Sequence, residues 1–445
     1  MIPSPKIVVV DDDAVALNAI QSSLHRLDTA CLPVHVQAGV PKIAHPIKGI
    51  KLLFVDIHLL VGGVTGAAVY DVVGQVLERV IDERNGPYVL VTWTTHKDEH
   101  EAVLKHLSAH YSRVPPPIAS IQLPKEKFMN THGEFDSAQI ATELSDISAQ
   151  YPQAHALIRW EDAVTRAAGD VVTTLANLVK RETMFLGQAG TKLERLIKAI
   201  AQRTVGRENV ASDVVTAVNE GFMPLLLDRL SHLSDATGDL TSAWTGAIAE
   251  PDKHSDLQAY ESAKLNAMYH IAIPNTGVIR VGSRGAVYKV PAGFDFERWF
   301  GIKEEALFGE YIQINDGADG AAVKALKSNS EWFLVGVRTA CDDAQSKKGS
   351  NRVVLALEVP IEQIPAKVGV QKENGPILHC PEYERNDTGR ILVLNWLYML
   401  GLTMGNFKDL NLATSFRLRD SMCAYLEHHF SVHASRPGII DLKKR

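Results

Sequence analysis

The 445-residue chain is poor in several things, and each shortage excludes something. It has four cysteines, Cys31, Cys341, Cys380 and Cys423. They lie too far apart for a disulfide framework, so a reducing, cytoplasmic setting is expected. It has no large excess of either charge: the formal net charge is −6, with 22% charged residues. Such a balance gives no global pull toward nucleic acid. Its longest apolar runs, such as ILVLNWLYMLGLTM from Ile391, are too short and interrupted for a membrane span. No basic stretch followed by a long apolar run and a cleavage site opens the chain, so no secretory signal is expected. Fixed-period repeats and low-complexity tracts are absent. What remains is the composition of a soluble globular protein, 46% apolar, with length for two or three domains.

Residues 1–130 alternate between two patterns. Strand-like runs occur at 6–10 (KIVVV), 33–38 (PVHVQA), 51–57 (KLLFVDI), 86–94 (GPYVLVTWT) and 117–125 (PIASIQLPK). Helical patterns such as AVALNAIQSSLHRL and TGAAVYDVVGQVLERVIDERN lie between them. The alternation predicts a doubly wound, five-stranded parallel sheet with helices on both faces. Residues 131–270 carry long helical patterns and read as a bundle or spacer. Residues 271–433 turn β-rich, with strands expected in VIRVGSRGAVYKV, EWFLVGVRTA, RVVLALEVP and PILHC, then closing helices in RILVLNWLYMLGL and ATSFRLRDSMCAYLEHHFSVHA. This region is expected to be an α+β domain, a small barrel or sandwich with flanking helices. Residues 434–445 read as a loose tail.

The stretch KIVVVDDDAV raises a chemical question, because three adjacent carboxylates follow a buried strand. Helix capping accounts for Asp13. A divalent cation accounts better for Asp11 and Asp12, since Mg²⁺ takes hard oxygen ligands. If the sheet is parallel, Asp11, Asp12, Asp56, Thr92 and Lys125 converge at its carboxyl edge, where such sheets bind ligands. Together they make a phosphoryl-transfer set. Asp56 would be the nucleophile, and Asp11 and Asp12 would hold Mg²⁺. Lys125 would pair with a carboxylate before transfer and a phosphate oxygen after it. The Thr92 hydroxyl would bond the attached phosphate.

The motifs VVVDDD, LLFVDI, YVLVT and IQLPK, in that order over residues 1 to about 130, resemble the receiver domain of bacterial response regulators. The resemblance implies a flavodoxin-like receiver fold with Asp56 as phosphoacceptor. It implies Mg²⁺ held by Asp11, Asp12, Asp56 and the backbone carbonyl of His58. It also implies a phosphohistidine donor on a sensor histidine kinase, hence a two-component phosphorelay. Four departures stand out. Glu126 follows the lysine where the family has proline, and Pro124 precedes it. Gln122 stands at a usually aromatic position. The spacings from Asp56 to Thr92 and from Thr92 to Lys125 are long. Trp93 stands where the family prefers a small residue, which predicts crowding at Asp56.

Other candidates carry weaker chemistry. His96/His100 and His106/His110 are i,i+4 pairs without an evident third zinc ligand, and a surface helix explains them. Cys341, Asp342, Asp343, His379 and Cys380 suggest a zinc site or a thiol–histidine pair, against half-buried cysteines beside turn-forming aspartates. That segment resembles parts of uncharacterised proteins that accompany bacterial defence systems, which implies a role in phage defence. His428 and His429, near Arg417 and Arg419, and the basic run Lys180–Arg207 read as solvated helix faces. No helix-turn-helix is present, so the expected output is contact with an effector protein or a phosphate sink rather than DNA binding. The alternative is a silent receiver-like scaffold carrying a C-terminal effector enzyme that uses Cys341 and His379.

Overall fold

The computed structural model describes residues 5–26, 29–59, 66–94, 99–128, 136–233, 238–248, 250–253, 256–272, 279–344 and 349–435. The chain divides into two compact units, one of residues 1–186 and 224–253, the other of residues 187–223 and 254–445. The helical middle is therefore not a unit of its own. No helix among the described residues is long and apolar enough to cross a membrane.

The first unit is built on a six-stranded, mostly parallel sheet. Its strands are β1 (Ile7–Asp11), β2 (Leu32–Gln37), β3 (Val40–Pro41), β4 (Leu52–Val55), β5 (Val89–Thr94) and β6 (Ala119–Pro124), in the order β3-β2-β1-β4-β5-β6. Five of them pair in parallel, as the alternating pattern predicts. The sixth is a correction to the expected five: β3 turns back antiparallel on β2. No helix joins β2 to β4. Residues 42–51 make that crossover, and Ile47 and Ile50 on it are buried in the same core as Val8, Val10, Leu53 and Val55 of the sheet.

Period-two alternation divides the apolar residues between the two faces. Val8, Val10, Leu53, Val55 and Leu90 meet α2 (Ala67–Val80) and α3 (His100–His110) through Val69, Val73, Leu77, Val103 and Leu107. Val9, Phe54, Val91 and Trp93 face the other way, onto Leu17, Ile20 and Leu24 of the N-terminal helix Ala14–Arg26. That helix starts after Asp13, whose carboxylate accepts from the Val15 N–H at 2.8 Å, so one of the three aspartates is a cap.

Two further helices follow, Ser137–Gln150 and Pro152–Ala176, the second opening on proline as a first turn permits. Ion pairs tie the second helix to the base of the sheet unit, Lys6 to Asp162 and Lys51 to Glu161.

In the second unit an antiparallel sheet dominates. The strand Thr388–Leu402 pairs with Asn351–Pro360, which pairs with Glu331–Val337. RILVLNWLYMLGL is therefore a strand and not the expected closing helix. An unbroken apolar run carries no periodicity to separate the two, and here its two faces feed two cores, Val393 and Leu402 in one, Leu392, Leu394 and Trp396 in the other. Ala413–Leu418 is also a strand, leaving Asp420–Ala434 as the terminal helix. In VIRVGSRGAVYKV only Ala286–Lys289 forms a strand among the described residues. Most of the 434–445 segment lies outside the described residues.

The sheet also buries charge. Glu358 is fully buried and accepts from Tyr383 Oη at 2.5 Å and Arg385 Nε at 2.9 Å, with Arg390 Nη1 3.4 Å away. A carboxylate without solvent requires partners of this kind.

Candidate functional site

Four strand ends build the site. Asp11 is the last residue of β1, Asp56 follows β4, Thr92 lies near the end of β5, and Lys125 follows β6. Register holds them level: Val10 is paired with Val55, Val55 with Thr92, and Thr92 with Gln122. The Asp56 N–H donates to the Val10 carbonyl at 2.9 Å, so Asp56 is fixed beside β1.

Lysine and carboxylates meet directly. Lys125 Nζ lies 2.5 Å from Asp56 Oδ2 and 2.6 Å from Asp11 Oδ2. Asp11 is fully buried, and its Oδ2 is in ion-pair contact with the ammonium. Its Oδ1 accepts from the Asp13 N–H at 2.9 Å. One carboxylate oxygen each from Asp11, Asp12 and Asp56 lie within 4.8 Å of one another, close enough to share an ion. Among the described residues this is the cluster with metal-ligand spacing. His35 Nε2 donates to the Asp12 carbonyl at 2.9 Å and steadies the loop.

Burial and mutual repulsion shape the charges. Burial pushes Asp11 up to about 6, against the pull of Lys125 and with the Asp56 charge adding to it. Asp12 is also raised, by burial first and by Asp56 second. Burial works to lower Lys125, but the carboxylates of Asp56 and Asp11 outweigh it and raise it above its usual range. Ionised, three carboxylates and one ammonium sum to two negative charges, the complement of one divalent cation.

Two residues that sequence reasoning did not assign to the site reach it from the start of α3. Glu99 Oε2 lies 2.6 Å from His58 Nε2, and the His58 N–H donates to Asp56 Oδ1 at 3.2 Å. His100 Nδ1 lies 2.8 Å from the fully buried Thr92 Oγ1. Their signal in the sequence was position alone: they open the helix that follows the Thr92 strand. His96, the other member of that i,i+4 pair, lies outside the described residues.

Trp93 differs from expectation. It is buried with its ring stacked on Phe128 at 5.2 Å and edge-on to Phe54, in the core under the N-terminal helix. Alternation along β5 sends it to the face opposite the Val55 and Leu90 side chains.

The remaining candidates are not drawn together. His106 Nε2 lies 2.7 Å from Asp71 Oδ1, and the His110 ring packs tilted against His106. Cys380 is buried, and burial pushes its thiol far above the usual range, which suits packing and not nucleophilic attack. His379 Nε2 donates to the Gln371 carbonyl at 2.7 Å, and Asp343 Oδ1 accepts from Arg280 at 3.0 Å. The side chain of Cys341 lies outside the described residues. His429 Nδ1 accepts from Trp396 Nε1 at 2.7 Å, and Arg419 Nε donates to the Ile271 carbonyl at 3.0 Å.

No protein-family model and no curated protein matches the chain. A solved structure, a fusion carrying a yeast Spc42 trimeric coiled-coil segment, aligns at 14% identity over 37% of this chain and 97% of its own, with a TM-score of 0.17. A likeness of that size carries no argument about fold or function.

Proposed function

We propose that the first 130 residues are a receiver-like module that accepts a phosphoryl group on Asp56 from a phosphohistidine of a sensor histidine kinase. The observation that carries this reading is Lys125 Nζ bridging Asp56 and Asp11 at 2.5 and 2.6 Å, at the carboxyl edge of a parallel sheet. The strand order, with β1 flanked by β2 and β4 and followed by β5 and β6, supports a flavodoxin-like arrangement. The β3 hairpin and the helix-free crossover at 42–51 are its departures.

In the reaction an Asp56 carboxylate oxygen attacks phosphorus. The phosphorus–nitrogen bond breaks, and the imidazole leaves with the electron pair and takes up a proton. Lys125 then moves its contact from the Asp56 carboxylate to a phosphoryl oxygen. Thr92 Oγ1 donates to a second one. The three hard carboxylate donors fit Mg²⁺, with the His58 carbonyl as a further oxygen, and the bound ion would neutralise the transferring oxygens. His58 is also where Glu99 grips the loop, so the chain two residues beyond Asp56 is held in place. The consequence of phosphorylation would pass to an effector protein, or end in phosphate loss as a sink. A setting in bacterial phage defence belongs to the same proposal.

The test is incubation of the purified chain with Mg²⁺ and acetyl phosphate, read by intact mass beside Asp56→Asn. The expected result is one phosphate gained by the wild type and none by the variant. No gain in the wild type sinks the phosphoacceptor reading and leaves a scaffold.

A further inference from the structure

We propose that His100 is a positioning residue for this chemistry: its Nδ1–H donates to Thr92 Oγ1 and aims the hydroxyl proton at a phosphate on Asp56. The inference rests on the reading of Asp56 as phosphoacceptor and deepens it.

The argument is one of donors and acceptors. A threonine hydroxyl has one proton to give. Thr92 Oγ1 lies within reach of two partners, the Ile121 carbonyl at 3.3 Å and His100 Nδ1 at 2.8 Å. A carbonyl can only accept, so a hydroxyl that donates to Ile121 receives its shorter bond from the imidazole. Burial lowers His100, against the charge of Glu101, so the ring is neutral near pH 7 and has one N–H to place. Its place is Nδ1. When a phosphate stands on Asp56, the hydroxyl proton leaves the long bond to Ile121 and turns to a phosphate oxygen. The His100 bond persists, because it uses a lone pair and not the proton. Donation into Oγ1 also strengthens the bond that Oγ1 makes outward.

The same arrangement gives the phosphate a reader. His100 is the first residue of α3, and Glu99 just before it holds His58 at 2.6 Å. The start of α3 is thus fastened to the Thr92 hydroxyl by His100 and to the loop after Asp56 by Glu99.

The test compares acetyl phosphate labelling rates in Mg²⁺ for wild type, His100→Ala, His100→Asn, Thr92→Ala and His100→Ala with Thr92→Ala, together with ¹⁵N NMR of the wild-type histidines. Asparagine places an amide N–H near the Nδ1 position. We expect His100→Ala to label about tenfold more slowly, the worth of one hydrogen bond. His100→Asn should stay within about threefold of wild type, and His100→Ala should add nothing to Thr92→Ala. The NMR spectrum should show the His100 proton on Nδ1. A wild-type rate in His100→Ala, an asparagine variant as slow as the alanine one, or a proton found on Nε2 each overturns the role of His100 while Asp56 still labels. Absence of labelling in the wild type overturns the reading of Asp56 and this inference with it.

Discussion

Replacing Asp11 with asparagine should stabilise the metal-free protein at neutral pH. Asp11 is fully buried, and its titration moves from 3.8 in the unfolded chain to about 6 in the fold, mainly through burial. A carboxyl displaced that far carries about 3 kcal/mol of penalty when ionised. The attraction of Lys125 is already contained in that balance. The sign follows from proton counting. Between 3.8 and about 6 the folded state holds a proton that the unfolded state has lost, so stability falls as pH rises through this window. Asparagine removes the ionisation and keeps an oxygen to accept from the Asp13 N–H. Its amide nitrogen meets Lys125 less well than a carboxylate does, so the expected gain is about 1–2 kcal/mol at pH 7.5, shrinking toward zero below pH 4.5. The assay is urea unfolding read by hydrogen exchange of the β1 and β4 peptides, which isolates this sheet from the second unit. Saturating Mg²⁺ should favour the wild type and narrow or reverse the gap. A variant less stable than wild type at pH 7.5 without Mg²⁺, or a difference that is flat in pH, refutes the reasoning.

Three further outcomes are expected. Lys125→Met leaves Asp11 and Asp56 side by side without their shared cation and should cost about 2–4 kcal/mol in chelator, with most of it recovered in Mg²⁺, by the same exchange measurement. Glu358→Gln leaves Arg385 and Arg390 facing a neutral amide in a buried place and should cost about 3 kcal/mol by calorimetry of the second unit's transition. Among the three cysteines whose side chains are described, native-state alkylation mapped by peptide mass should spare Cys380 and Cys423, both buried with thiols pushed up, Cys423 to about 11, while half-buried Cys31 reacts ahead of them.

The first unit was legible because its strands are short, end in polar residues and alternate with amphipathic helices. Asp56, Thr92 and Lys125 could be aligned from strand ends alone, since parallel register sets them level. Other features follow from contacts that no local pattern shows. The crossover at 42–51 has isoleucines but no helical period, and only the core that takes Ile47 and Ile50 explains them. Trp93 was expected to crowd Asp56, yet period two sends each neighbour in β5 to the opposite face, and bulk at one position does not burden the next. The strand Thr388–Leu402 was read as helix because residues buried on both faces leave no polar stripe to count. Glu99, and the part His100 plays at this site, are hidden in the sequence for a different reason. Their partners, His58 and Thr92, are 41 and 8 residues away, and the pairing depends on where α3 begins.

The predictions at Asp11 and Lys125 have opposite signs, and that opposition is the substance of the site. One surplus of negative charge underlies both: removing a carboxylate relieves it, and removing the ammonium worsens it. A fold selected for stability alone would not keep three carboxylates within 4.8 Å around one lysine. Sites that bind or transfer charge commonly hold such unfavourable arrangements. A divalent cation would close both differences at once, since it supplies the two positive charges that the cluster lacks. If Mg²⁺ instead leaves both variants where the chelator left them, the cluster holds its charge for some other purpose, and the phosphoryl reading loses its electrostatic basis even with the strand-end geometry intact.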